Sequence, residues 1–263
     1  MPRARVILVH GIRTSATMWR GQVARLERHD LEVIPVDLPG HGARIDEAFT
    51  IEAAMRAIDE AVGRSDETDG GAPRLLVGLS LGGYVAIEYA ARHRDRIDGL
   101  VAAACGTRPR GWALRGYAAI AAVIGRLPDR GRGLNDAMAR LFLSPSAVDD
   151  VLAGGVALDV MQPALAAVAE LDVERAIAAV EVPIWFVNGR MDHFRLEERR
   201  MTRAARDGHL VLIDRATHLV SLVRPDDFAA AVLGAVAELE ARAARRRRTA
   251  ARLGAARIGA ARP

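Results

Sequence analysis

The stretch Arg74-Leu75-Leu76-Val77-Gly78-Leu79-Ser80-Leu81-Gly82-Gly83-Tyr84-Val85-Ala86-Ile87-Glu88-Tyr89 constrains the fold more than any other part of the chain. Its first third is a short, almost continuous apolar run, the pattern of a strand covered on both faces. Its last third has helical character, and only Gly78-Leu79-Ser80-Leu81-Gly82 lies between. A strand that passes into a helix through one sharp turn is half of a βα unit, and such units build parallel sheets. The same rhythm recurs along the chain. Strands are expected near 5–9, 32–36, 74–79, 98–104, 182–188 and 209–214, with helices near 17–28, 51–62, 82–92, 195–206 and 225–247. Pro225 followed by Asp226 and Asp227 marks the start of the last helix. The expected architecture is α/β: a three-layer sandwich with a mainly parallel, roughly six-stranded sheet and a helical cap insertion.

The insertion is read from one break in the rhythm. About 75 residues separate the strand ending near Ala104 from the one starting near Val182, more than a crossover needs. Within that interval 111–126, 135–143, 146–152 and 159–169 read as short helices, punctuated by Pro109, Pro128, Pro145 and Pro163. The resulting division is a core of 1–106 and 181–241, a helical cap over 107–180, and a basic tail over 242–263, expected to fray or lack fixed structure.

Composition narrows the class. With 263 residues, 51% hydrophobic and 27% charged, the chain can bury a large single core. No apolar run approaches a membrane span. The one cysteine, Cys105, permits no internal disulfide, and a cytoplasmic location is expected. The formal charge of +4 hides an asymmetry: 242–263 carries eight arginines and no acid, so the remainder carries −4. That tail has no interleaved aromatics and no nucleic-acid motif, so a solvated helix end is preferred to a specific nucleic-acid contact. No phosphate loop, metal-ligand spacing or dinucleotide fingerprint is present; no metal or cofactor is expected.

Chemistry gathers on a few residues. A serine hydroxyl is a poor nucleophile unless geometry exposes it and a base takes its proton. The small residues Gly78 and Gly82 let a strand-to-helix turn expose Ser80 at a helix N-terminus. The base is expected to be His218, which follows the strand at 209–214 and so reaches the C-terminal edge of the sheet. His10, His29, His41, His93 and His209 are read as turn or surface residues, and His193 as a pocket residue. The acid is expected to be Asp192, delivered to the same edge by the strand at 182–188 and a Gly-containing turn; Asp214 is the rival. Two backbone N–H donors must face the developing oxyanion. Leu81, the residue after Ser80, supplies one, and Ile12, in the loop after the first strand, supplies the other.

In these segments the chain resembles the α/β-hydrolase superfamily, in particular its small capped esterase-like members, which also include C–C bond hydrolases and cofactor-free perhydrolases. The resemblance rests on His10-Gly11, Asp37-Leu38-Pro39-Gly40-His41-Gly42, the turn around Ser80, the Gly189-to-Asp192 segment and the His218 segment. It runs from about Arg3 to Leu239. It departs at the start, where members often carry an antiparallel strand pair for which this chain has no room. The cap matches no named subfamily. The resemblance implies a serine esterase working through an acyl-enzyme on Ser80, with lactone hydrolysis, C–C bond hydrolysis and a non-catalytic receptor as alternatives. The substrate is expected to be a small to medium, fairly hydrophobic carboxylic ester, neutral overall, and the protein a monomer or homodimer. Arg13, Trp112, Tyr117, Phe142, His193 and Leu219 are the expected pocket residues.

Overall fold

The computed structural model describes residues 2–63 and 71–260, with the side chains of these apart from 112–114 and 250–260. Six strands, β1 (Ala4–Val9), β2 (Leu31–Val36), β3 (Arg74–Leu79), β4 (Gly99–Ala103), β5 (Ile184–Gly189) and β6 (Gly208–Ile213), form one sheet in the order β2-β1-β3-β4-β5-β6. All five pairings are parallel. Each strand expected from the sequence is present, with ends moved by a residue or two. The central strands are apolar on both faces because both faces are covered: Val6, Ile7, Leu8 and Val9 of β1 are all fully buried.

Side chains alternate between two cores. Ile7, Val9, Leu76, Leu100, Ile184 and Phe186 face one side, with helices α2 (Ile51–Val62), α3 (Leu81–Arg92) and α8 (Val173–Ala179). Val6, Leu8, Leu75, Val77, Val101, Trp185 and Val187 face the other, with α1 (Arg20–Leu26), α10 (Val220–Val223) and α11 (Pro225–Ala260). The helix expected over 17–28 is three pieces: a 3-10 turn at Ala16–Trp19, α1, and a 3-10 turn at Glu27–His29 closed by Asp30 at φ 59°. Thr50 caps α2 by accepting the Ala53 N–H at 3.0 Å. Helix α11 continues to Ala260, past its expected end at 247, through a stretch rich in the strong helix formers Ala and Arg. No helix among the described residues is long and apolar enough to cross a membrane.

Between β4 and β5 stand α4 (Gly111–Gly125), α5 (Arg132–Phe142), α6 (Pro145–Ala153), α7 (Met161–Ala169) and α8. Helix α6 packs on the Ala16–Trp19 turn, where the Thr17 hydroxyl donates to the Asp150 carbonyl at 2.6 Å. Helix α8 was not anticipated. It is short, capped by the Asp172 carboxylate on the Arg175 N–H at 3.2 Å, and seated in the same apolar layer as α3.

The β3–α3 crossover has no room for side chains at its glycines. A Cβ on Gly82 would lie 2.5 Å from the Val9 carbonyl oxygen and 2.6 Å from that of His10. One on Gly78 would meet the Gly82 carbonyl at 2.3 Å, and one on Gly83 would meet the buried Cys105 sulfur at 2.7 Å. Two glycines of opposite surroundings make a test. Gly82→Ala drives a methyl into fixed backbone and is expected to destabilise by about 3 kcal/mol or more. Gly234→Ala, on the exposed side of α11 with nothing within 4 Å of its added Cβ, is expected to stabilise by about 0.5–1 kcal/mol. Thermal melts of the two variants should shift in opposite directions.

Candidate active site

The strand order reverses direction between β1 and β3, and loops leaving their C-terminal ends open a crevice there. Ser80 stands directly after β3 with φ 53° and ψ −114°, a strained conformation for a residue with a side chain. Its own N–H donates to the Ala103 carbonyl at 2.8 Å, which ties the turn to the end of β4. The strain lifts the hydroxyl out of the chain path at the N-terminus of α3.

Three crossovers converge on that hydroxyl. Asp192 follows β5 through a turn closed by its N–H on the Gly189 carbonyl at 3.0 Å. His218 follows β6, with its Nε2 3.0 Å from Ser80 Oγ. Its Nδ1 lies 3.2 Å from both carboxylate oxygens of Asp192. An ionised carboxylate only accepts, so the Nδ1 carries the proton and Nε2 presents its lone pair to the Ser80 O–H. The Asp192 side chain is wholly buried, and Oδ1 also accepts the Phe194 N–H at 2.8 Å. Asp214, the rival acid, is turned outward: its side chain is 73% exposed and pairs with Arg190, which holds its carboxyl below the ordinary range.

The loop after β1 lies against the serine, since a Cβ on Gly11 would be 3.6 Å from Ser80 Cβ. Two histidines fasten it, and here the structure corrects an expectation. His10 and His41 are not surface residues: both are completely buried, although His41 does close a turn through its N–H on the Leu38 carbonyl at 3.0 Å. His10 donates through Nδ1 to the Gly11 carbonyl at 2.7 Å and accepts the Leu38 N–H at Nε2, 3.0 Å away. His41 donates through Nδ1 to the Pro39 carbonyl at 3.0 Å and accepts the Arg13 N–H at Nε2, 3.3 Å away. The rings meet edge-on at 4.8 Å. Each neutral imidazole thus uses one donor and one acceptor, a pairing that the doubly protonated form could not keep. Burial pushes the His10 pKa down to about 3, helped by its neighbour His41, and burial also lowers that of His41. Ile12, between the two fastened residues, is half-buried. Leu81 is the first residue of α3, where a helical N–H has no partner within its own helix.

The pocket candidates divide. Tyr117, on α4, is half-buried and meets Phe194 edge-on at 5.7 Å. Phe194 in turn lies 4.8 Å from the His218 ring and 4.3 Å from that of His193. The His193 side chain is 72% exposed, 5.7 Å from His218 between ring centres. Arg13 is half-buried beside Tyr117, close enough for its charge to offset part of the rise that burial gives the phenol pKa. Leu219 packs into the second core rather than standing free. Phe142 is 57% exposed at the end of α5 and shares no ring contact with the site among the described residues. The side chain of Trp112 lies outside the described residues. Phe194 was missed; its signal was an aromatic two residues after the acid in a chain only 4% aromatic. Behind the acid loop, Glu198 is buried and accepts from Asn188 at 3.0 Å and Arg195 at 2.5 Å, which braces the segment carrying Asp192. Among the described residues no group of three or more His, Cys, Asp or Glu side chains is placed to hold a metal ion.

The profile of the Alpha/beta hydrolase family matches residues 6–231, and the chain belongs to that family. It is 29% identical over 252 residues to a pimeloyl-[acyl-carrier protein] methyl ester esterase of Neisseria meningitidis serogroup C, covering 88% of this chain and 93% of that one. Among solved structures, a thermophilic esterase from Thermogutta terrifontis superposes with a TM-score of 0.72 at 25% identity, with 90% of both chains covered. The enol-lactonase from Burkholderia xenovorans LB400 shares the fold at a TM-score of 0.70 and 21% identity, over 88% of this chain and 90% of the other.

The two buried histidines make stability depend on pH. Above about pH 6.5 both are neutral whether folded or unfolded and contribute nothing. As the pH falls below that value, the unfolded chain takes up protons that the folded chain refuses, so the folded state loses ground. His10 should add a slope of up to about 1.4 kcal/mol per pH unit between roughly pH 6 and 4, and His41 adds to the loss in the same direction as the pH falls below about 6.5. Urea unfolding at several pH values should show this steepening in the wild type and a shallower dependence in His41→Asn.

Proposed function

We propose that this member of the alpha/beta hydrolase family hydrolyses a carboxylic ester through an acyl-enzyme on Ser80. The observation that carries the reading is the relay itself: Ser80 Oγ 3.0 Å from His218 Nε2, with His218 Nδ1 3.2 Å from a buried Asp192 carboxylate. His218 takes the hydroxyl proton as Ser80 Oγ bonds to the ester carbonyl carbon. The carbonyl π electrons move to the oxygen, which is held by the N–H groups of Ile12 and Leu81. When the tetrahedral intermediate collapses, the C–O bond to the alcohol breaks and His218 gives its proton to the leaving oxygen. Water then repeats the sequence: His218 takes a proton from water as the water oxygen bonds to the acyl carbon, the bond to Ser80 Oγ breaks, His218 returns the proton to Ser80 Oγ, and the acid leaves. Asp192 keeps Nδ1 protonated and steadies the imidazolium, and Phe194 closes over the ring that must not turn.

The relatives support ester chemistry by their names, one a methyl ester esterase and the other an esterase. The segment 107–180 acts in this reading as a cap, with α4 supplying Tyr117 to the pocket wall and α8 seating the insertion on the core. A single free, buried cysteine fits a protein of the cytoplasm.

Turnover of 4-nitrophenyl butyrate should fall by a factor on the order of 10^4 or more in Ser80→Ala, and comparably in Asp192→Asn, where the histidine adopts the wrong tautomer. A fluorophosphonate should label the wild type and leave Ser80→Ala unlabelled. Labelling that persists in Ser80→Ala would sink the assignment.

A further inference from the structure

Arg13 is half-buried with no carboxylate within ion-pair reach among the described residues. Its neighbours in the site's surroundings are treated differently. Arg108 is paired with Glu197 and Arg195 with Glu198, each at 2.5 Å. Among the described residues the Arg13 side chain makes one hydrogen bond, a long one of 3.4 Å from Nη2 to the Gly131 carbonyl, and its Nε is buried with no partner. Asp136 acts on it only at a distance, and burial lowers its pKa. A guanidinium withdrawn from water without an opposing charge is costly, and a carboxylate that reached it would supply both the missing charge and an acceptor for the unsatisfied Nε.

Its position says where that carboxylate would come from. The Arg13 backbone is fixed, with φ 65° and its N–H on His41, one residue after Ile12. From the His218 ring, Phe194 and then Tyr117 follow at ring spacings of 4.8 and 5.7 Å, and Arg13 sits beside Tyr117. The path from the reacting histidine is aromatic along its length and cationic at its end.

Resting on the ester-hydrolase reading, we propose that Arg13 is a substrate-recognition residue that binds a carboxylate carried by the ester, so that the preferred substrate has an apolar body and one terminal negative charge. This revises the neutral substrate expected from the apolar side chains of 107–180, none of which accounts for the unpaired cation.

Two charged probe types separate the side of the ester bond on which the carboxylate lies. 4-Nitrophenyl half-esters of succinate, glutarate and adipate carry it on the acyl side, and butyryl glycolate carries it on the alcohol side. Each is compared with a neutral ester of equal length, in wild type, Arg13→Gln and Arg13→Lys. The wild type should favour at least one charged ester over its neutral counterpart by tenfold or more in kcat/KM, mainly through KM. Arg13→Gln should reduce that ratio to near one, and Arg13→Lys, which keeps the charge but not the fork, should retain part of it. No preference in the wild type, or one untouched by Arg13→Gln in protein that melts normally, would overturn the proposal. Calorimetry of monomethyl glutarate and dimethyl glutarate on Ser80→Ala, with and without Arg13→Gln, gives a readout independent of turnover. Arg13-dependent binding of the monoanion alone, without hydrolysis of any ester, would refute the ester reading and uphold the recognition site. Ser80-dependent hydrolysis with no charge preference and no Arg13-dependent binding would do the reverse.

Discussion

The backbone of α3's first turn lies against the end of β1 at a distance that excludes any side chain at Gly82. Everything the site does depends on that closeness. It brings the first N–H groups of α3 and the loop after β1 into one crevice, and it leaves Ser80 no relaxed conformation. The strain is held by the sheet on either side, through parallel pairing of β3 with β1 and β4 and the bond from Ser80 N–H to Ala103. The raised position of the Ser80 hydroxyl thus goes with packing a helix very tightly onto a parallel sheet at the point where strand order reverses.

Around this crossover the polar groups are arranged so that each has a defined partner. His218 is oriented by Asp192, Asp192 is held by the Phe194 N–H, and the segment is braced from behind by Glu198 with Asn188 and Arg195. On the opposite wall His10 and His41 stay neutral because each accepts a backbone N–H. Burial disfavours the charged form of both imidazoles. Their hydrogen-bond partners differ from those of His218: His218 meets a carboxylate and a hydroxyl, whereas the other two bond amides and carbonyls, with the Asp37 carboxylate 3.9 Å from His10 Nε2.

Most of the frame was legible in the sequence because apolar runs and glycine turns report local demands. Strand positions, the turn at Ser80, and the delivery of Asp192 and His218 to one edge all follow from short-range pattern and chain order. What was not legible depends on contacts between distant segments. Nothing near His10 or His41 announces that their rings will be shut in together, because the walls come from 36–41 and from β1. Helix α8 is too short for its periodicity to register, and its Asp172 cap is clear only once the helix is known. Arg13 was a pocket residue by its place beside Ile12, but its lack of a counter-charge is a property of the assembled fold. Phe142 was expected as a wall residue for its size and apolarity, and its side chain is largely exposed at the end of α5.

Cys105 sits behind the same crossover, fully buried against Gly83, and burial pushes its thiol pKa upward. The thiolate that reagents attack is therefore scarce, and the sulfur is out of their reach. The chain contains no other cysteine. A cysteine introduced on the surface of α4 or α5 would be the one addressable thiol, so a fluorophore or spin label could report on those helices without first stripping the native sequence.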